Sequence, residues 1–217
     1  MGRPGAPGVR TATHTKSALT GRPFSRHPVV SKRGSQADLA RTTNHPDPQS
    51  VAVRLARESD LEQINEIYNH YILKTAITFD IEPWTMGERR AWFAKFGTHG
   101  RYRLVVAEDR RGVIGFAGTS RFREKAAYDP TVEMTIYCAS EATGHGVGSM
   151  MYEALFPLIA DEDIRSGIAA ITLPNEVSIR LHERFGFTLV GVTHDVGRKF
   201  GKFWDVAWYE RIFGPAG

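Results

Sequence analysis

Residues Thr131 to Ser149, TVEMTIYCASEATGHGVGS, constrain the fold more than any other stretch of this chain. Val132, Met134, Ile136 and Cys138 are the apolar members of an alternating run. Thr131, Glu133, Thr135 and Tyr137 stand between them. A period of two reads as a β-strand. Gly144-His145-Gly146-Val147-Gly148-Ser149 then leads into a run with helical apolar spacing. A strand passing through a glycine turn into a helix start offers free backbone N–H donors, which suit a phosphate group. Glu133 lies on the same strand, so one short unit carries an anion cradle and a candidate base. On its own, G-x-G-x-G after a strand more often marks a plain turn.

The pattern before and after this unit sets its context. Val51–Arg57 alternates as a strand, and Ser59 reads as the N-cap of a helix running to about Leu73. Pro83 breaks the following connection, and Glu88–Phe96 reads as a second helix. Arg103–Asp109 and Val113–Thr119 flank a tight Arg110-Arg111-Gly112 turn and form a hairpin. A polar loop over residues 120–130 precedes the central strand. The helix from about Val147 contains Pro157, which predicts a kink or an early end. A strand over Gly167–Leu173 follows, then a helix from Asn175 to Phe185 with Gly186 just past its end. Phe187–Asp195 and Phe203–Phe213 read as two last strands. The order β α α β β β α β α β β predicts an α/β fold, a mixed sheet with helices on both faces.

Charge divides the chain. Residues 1–50 hold eight Lys/Arg and two Asp, whereas residues 51–217 hold 20 Lys/Arg and 22 Asp/Glu. The +4 net charge therefore belongs to the first segment, and the expected folded domain, 51–217, is nearly neutral. No nucleic-acid partner is expected of that domain. Residues 1–50 are rich in Gly, Pro, Ser, Thr and Arg without apolar periodicity, so a disordered basic extension is expected. It reads as a passive extension, as an organellar transit segment, or as a basic arm for RNA or acidic lipid. It has no apolar core of the kind a secretory signal needs. No apolar run approaches the roughly 20 residues that span a bilayer, so no membrane partner is expected. The single cysteine, Cys138, excludes an internal disulfide and a cysteine metal cluster and fits a reducing compartment. Cys138 has no base beside it in the sequence, which sets aside an acyl-carrying role. The histidines show no H-x-x-x-H pair, and no metal is expected.

The glycine unit sits late, after an antiparallel meander, not early in a βαβ unit as a dinucleotide fold needs. That order resembles the GNAT acyl-CoA N-acetyltransferase fold. Over nearly all of residues 51–213 the chain is similar to the phosphinothricin N-acetyltransferase subfamily. The segments that carry this are Tyr68-Asn69-His70-Tyr71-Ile72, Phe79 through Glu82-Pro83, Ala127-Tyr128-Asp129, Thr131-Val132-Glu133 with Ile136-Tyr137, and Gly146-Val147-Gly148-Ser149. They continue through Leu173-Pro174-Asn175, Ser178 to Glu183, Gly186-Phe187, and Gly197, Lys199, Gly201, Asp205 and Val206.

The resemblance implies an acetyl-CoA-dependent N-acetyltransferase acting on the amino group of a small amino acid or analogue, of phosphinothricin or methionine sulfoximine or sulfone type. The alternatives are an acetyltransferase for protein N-termini or other amines, and a non-catalytic acyl-CoA-binding module. It implies that residues 144–149, Gly144, His145, Gly146, Val147, Gly148 and Ser149, hold the pyrophosphate. Ile136, Tyr137 and Cys138 would pair with the pantetheine amides, and Asn175 would bond the same arm. Glu133 is implied as general base and His182 as acid for the departing thiolate or partner of the base. Tyr71, Phe79, Lys125 and Tyr128, with His70, Arg121 and Arg123, are candidates for the acceptor pocket. Lys125 stands where the subfamily has an arginine, and the Thr143-Gly144-His145-Gly146 turn lacks the usual arginine. A cytoplasmic homodimer is the expected form.

Overall fold

The computed structural model of the chain describes residues 50–214. The expected extension over residues 1–50 lies, but for Ser50, outside the described residues. The elements are β1 (Ala52–Leu55), α1 (Leu61–Lys74), α2 (Met86–Phe93), β2 (Leu104–Asp109), β3 (Gly112–Arg121) and β4 (Thr131–Cys138). They continue with α3 (Val147–Ile159), β5 (Ser166–Thr172), α4 (Glu176–Arg184), β6 (Thr188–Lys199) and β7 (Lys202–Ile212). The strands make one seven-stranded sheet in the order β1-β2-β3-β4-β5-β7-β6. Every neighbouring pair is antiparallel except β4 with β5, which is parallel. The expected α/β mixed sheet is therefore present.

Both faces of the sheet are covered, and β2 shows how. Leu104 and Val106 join Leu61, Ile64, Ile67 and Phe116 on the α1 and α2 side. Val105 and Ala107 join Val147, Met151 and Leu155 on the α3 side. A strand buried on both faces reads as an unbroken apolar run, as Leu104 to Ala107 does. In β3 the alternation slips by one residue: Val113 and Phe116 face α1, while Ile114 and Ala117 face α3. A bulge causes it, because Ala107 pairs with Gly115 and Glu108 with Val113, leaving Ile114 as the extra residue.

Two helix starts differ from expectation. Ser59 does not cap α1; it lies within a 3-10 turn, Glu58–Asp60. The Asp60 carboxylate organises that turn, accepting from the Arg57 N–H at 2.7 Å and from Arg54 at 2.7 and 2.9 Å. A charge-assisted pair outcompetes a serine hydroxyl. α2 begins at Met86, not Glu88, because Thr85 and Glu88 form a capping box. The Thr85 N–H donates to the Glu88 carboxylate at 2.8 Å and the Glu88 N–H to Thr85 Oγ1 at 3.3 Å. The helix predicted to be disturbed by Pro157 ends two residues later, at Ile159. Gly186, at φ +78°, closes α4 as expected.

β4 and β5 pair only at Thr131–Ser166, Val132–Gly167 and Glu133–Ile168. β4 then continues along β3 to Cys138, and β5 continues along β7 to Thr172. Past Glu133 the two strands separate, and the sheet opens as a V with that carboxylate at its apex. No helix among the described residues is long and apolar enough to cross a membrane.

Candidate active site

The V holds three connected cavities with β4 as their common wall. The largest, about 500 Å³, runs beside Ile136, Tyr137 and Cys138 to the start of α3 and is closed on the far side by α4. A second, about 250 Å³, lies between the aromatic side chains of α1 and α2 and the Ala170–Thr172 end of β5. A third, about 90 Å³, joins them between Glu133, Asn175 and His182. Thr135, Tyr137 and Ile77 line both smaller cavities.

The large groove is built mainly from backbone. Gly146 is the N-cap of α3 at φ +82°, ψ −4°, a left-handed conformation that costs a side chain roughly 1–2 kcal/mol. No side chain caps α3. The first N–H groups of a helix have no partner within it. Residues 147–149 thus offer donors, and the helix dipole adds positive potential there. Gly144, Gly146, Gly148 and Ser149 line the groove. Val147 is buried beneath it, 1% exposed, and anchors the turn. The His145 ring turns back on its own loop, its Nδ1 3.0 Å from the Thr143 carbonyl. Asn175 lines both groove and passage, and its Oδ1 caps α4 by accepting from the Ser178 N–H at 3.2 Å. The capping and binding readings of Asn175 are compatible in this geometry. Tyr71 donates its hydroxyl to the Cys138 carbonyl at 2.7 Å, so it belongs to the groove wall and not to the second cavity. Arg180 and Arg184 also line the groove. They were not singled out in the sequence, although their i, i+4 spacing beyond Asn175 puts both on one helix face.

An extended, anionic molecule fits this groove. The released edge of β4 is a strand without a neighbour on that side, which can pair with amides in a ligand arm. The uncapped helix start and two arginines suit phosphates at its end. Burial drives the Cys138 thiol up to about 12, so it is protonated and not nucleophilic at neutral pH.

Glu133 faces the two smaller cavities. Its carboxylate has no hydrogen-bond partner among the described residues. Burial raises its pKa above the ordinary glutamate range, and the nearby Arg123 charge opposes that rise. A half-buried, unpaired carboxylate with a raised pKa is a stronger base than an ordinary glutamate and is suited to accept a proton.

His182 is placed differently from a freely accessible acid. It is 2% exposed, with Nδ1 2.8 Å from the Ser178 carbonyl and Nε2 2.8 Å from the Tyr152 hydroxyl. A carbonyl only accepts, so Nδ1 carries the proton and Nε2 accepts from Tyr152. Burial lowers the ring's pKa, which favours this neutral form. His182 thus ties α4 to α3 while one edge of its ring borders the passage.

The acceptor candidates separate. Phe79 lines the second cavity. It is packed against Gly197, where any Cβ would collide with its ring, and Lys199 Nζ donates to the Thr78 carbonyl at 2.7 Å. The β6–β7 hairpin therefore holds the Phe79 loop over the cavity, which gives the Gly197 and Lys199 motif a physical role. Lys125 and Tyr128 are exposed, and neither borders a cavity with Glu133. Tyr128 packs edge-on against Phe122, and Arg121 pairs with Glu124 and Asp129. His70 borders a separate cavity beside Ser140 and Glu141. Tyr68, Trp84 and Arg89 line the second cavity, and Arg89 is not among the residues that the sequence points to. The signal available was an arginine on the apolar side of a helix, next to Trp92. Among the described residues no group of His, Cys, Asp and Glu is placed to hold a metal ion.

A groove suited to an extended anionic molecule on one side of a carboxylate and a small cavity on the other fit a group-transfer enzyme with two substrates. Comparison with known proteins gives that class its family. The model described as "Acetyltransferase (GNAT) domain" matches residues 53–208, and the chain belongs to this family as an acetyl-CoA-dependent N-acetyltransferase. Among its relatives, the phosphinothricin N-acetyltransferase of Streptomyces coelicolor is 49% identical over 168 residues, covering 76% of this chain and 98% of that protein. The L-methionine sulfoximine/L-methionine sulfone acetyltransferase of Pseudomonas aeruginosa is 32% identical over 167 residues, covering 76% and 96%. A GNAT superfamily phosphinothricin acetyltransferase from Sinorhizobium meliloti, solved in complex with AcCoA, superposes with a TM-score of 0.71 at 35% identity, over 76% of this chain and 89% of that one.

Proposed function

We propose that this chain transfers the acetyl group of acetyl-CoA to the amino group of a small amino acid or analogue, of the phosphinothricin or methionine sulfoximine/sulfone type. The observation that carries the reading is Glu133, at the apex of the V between a donor groove and a cavity of about 250 Å³. Acetyl-CoA would lie along β4, with its pantetheine amides beside Ile136 to Cys138 and Asn175. Its pyrophosphate would meet the N–H groups at Gly146 to Ser149. The acceptor amine arrives protonated. Glu133 removes a proton, directly or through water, and the free amine attacks the thioester carbon while both substrates are bound; the tetrahedral adduct then breaks its C–S bond, CoA leaves as the thiolate, and the second amine proton passes through water to that sulfur. His182 was implied as the acid. A neutral ring with both nitrogens engaged supports a positioning role instead, holding α3 and α4 at the groove.

The small cavity under Phe79 favours a small acceptor over a protein N-terminus, which needs an open channel. The proposed form is a cytoplasmic homodimer. Leu189, Val190, Val196, Phe200 and Phe203 stand exposed along the β6–β7 hairpin, a stripe that a second copy would cover. Sedimentation equilibrium tests the dimer. An acceptor panel of amino acids, phosphinothricin, methionine sulfoximine and short peptides, with release of free thiol from acetyl-CoA as readout, tests the reaction. Turnover on peptides alone would overturn the substrate class. Donor binding without turnover on any amine would overturn the reaction itself.

A further inference from the structure

Arg89 is the fully buried cation of the acceptor cavity, 1% exposed. Its guanidinium sits over the rings of Tyr68, Trp84 and Trp92, at 4.7, 4.4 and 4.6 Å from their centroids. Nε donates to Asn65 Oδ1 at 3.1 Å. Nη2 is buried and has no hydrogen-bond partner. The carboxylate that could pair with Arg89, Asp80, instead accepts from the Tyr68 hydroxyl at 2.6 Å. Burial pulls the guanidinium down to about 10, so it keeps its charge at neutral pH.

An aromatic cage alone does not account for this. Cation–π contacts satisfy the faces of a guanidinium and leave its in-plane N–H donors in need of acceptors. Buried donors are paired in nearly all proteins, and an unpaired one calls for an explanation. Here the missing partner would come from the cavity that Glu133 also lines. The two groups have opposite charges and sit on different walls, α2 and β4. A molecule with an ammonium at one end and a small anion at the other matches that polarity.

We propose that Arg89 is a specificity-determining residue that receives the anionic group of the acceptor, a carboxylate or phosphinate, and so turns its amine toward Glu133. This rests on the acetyl-transfer reading above and narrows its substrate class to compact amino acids and analogues with a monoanionic group. A guanidinium suits such groups through charge-assisted hydrogen bonds. The cage of Tyr68, Trp84 and Trp92 fixes the cation in advance, so little side-chain order is lost on binding.

The test uses the full chain and two readouts. In the first, methylphosphinate, which has no amine, is titrated in the presence of CoA, and quenching of tryptophan fluorescence is followed in wild type, Arg89→Lys and Arg89→Met. Saturable quenching in wild type, weakened at least tenfold in Arg89→Met and less in Arg89→Lys, is expected. Equal binding by wild type and Arg89→Met, or none by wild type, overturns the proposal. In the second, wild-type kcat/KM is compared for phosphinothricin, its methyl phosphinate ester and its α-carboxamide, which neutralise the phosphinate and the carboxylate in turn. A preference of at least tenfold for phosphinothricin over one of the two neutralised analogues is expected, and equal rates for all three overturn the proposal even if Arg89→Met does not fold. Arg89-dependent binding of methylphosphinate with no amine acetylated would uphold the anion site while removing the acetyl-transfer reading.

Discussion

The two halves of the site are made from different materials. The proposed donor groove is a backbone structure: a strand edge freed by the parting of β4 and β5, a left-handed glycine, and the uncapped start of α3. The proposed acceptor cavity is a side-chain structure, with Tyr68, Phe79, Arg89 and Glu133 converging from α1, the loop after it, α2 and β4. Backbone donors tolerate changes of side chain, which is why the Thr143-Gly144-His145-Gly146 turn can lack an arginine and keep its shape. A cavity made of side chains changes specificity with any one of them. The contrast predicts that donor-side substitutions act on acetyl-CoA alone and acceptor-side substitutions on the amine alone, with Glu133 at the junction affecting the chemical step.

The largest effect is expected there. Glu133→Gln should lower kcat by about 10²–10⁴, the usual contribution of a positioned base, with the KM for acetyl-CoA unchanged. The wild-type pH profile checks the same residue. If Glu133 is the base it must be deprotonated, and burial raises its pKa, so the acid limb of kcat/KM should lie above the ordinary carboxylate range. Arg123 opposes that rise, so Arg123→Ala should move the limb further up. Full activity in Glu133→Gln across pH would remove the base assignment.

Two glycine substitutions should separate the halves. Gly146→Val places a β-branched residue at φ +82° and disturbs the helix start. A cost of about 1–2 kcal/mol for that conformation corresponds to a rise of roughly 5- to 30-fold in the acetyl-CoA KM, with the acceptor KM held. Gly197→Ala brings a methyl into the Phe79 ring and should shift the roof of the acceptor cavity. A change of several-fold in acceptor KM, with acetyl-CoA KM held, is expected on steady-state kinetics. If both constants move in either variant, the two halves are coupled and the division fails.

The same contrast explains what could be read in the sequence. The order of elements, the β4 alternation and the glycine turn are local patterns, and the structure reproduces them in Thr131–Cys138 and the left-handed Gly146. Boundaries moved where a neighbour competed: Asp60 displaced Ser59 because Arg54 from β1 reaches it, a contact that spacing does not reveal. The acceptor side was the least legible. Lys125 and Tyr128 were picked for their chemistry and their place in a matched segment, and both are exposed on the 120–130 loop. Arg89 precedes Trp92 and Phe93 by three and four residues, which puts it on the apolar side of α2, but spacing does not say what that side covers. Only the packing of α2 against Tyr68 shows that the cation is inside.

The smallest effect concerns His182, whose role lies between the halves. Tyr152→Phe removes the hydroxyl that donates to Nε2 and leaves the ring in place. If His182 positions α3 against α4, the variant leaves a buried acceptor unpaired and should cost about 1–3 kcal/mol of stability, read as a lower Tm. Its kcat should stay within about threefold of wild type, because the loss of one such hydrogen bond away from the reacting atoms changes stability more than the barrier. If His182 instead delivers a proton to the departing sulfur, its Nε2 has to carry that proton, and the Tyr152 hydroxyl is the group that supplies it. Tyr152→Phe would then lower kcat well beyond threefold and shift the alkaline limb of the rate profile, with Tm little changed. A fall in Tm without a fall in kcat therefore assigns His182 to the framework that keeps the donor groove in register with Glu133, and the reverse pattern assigns it to the chemistry.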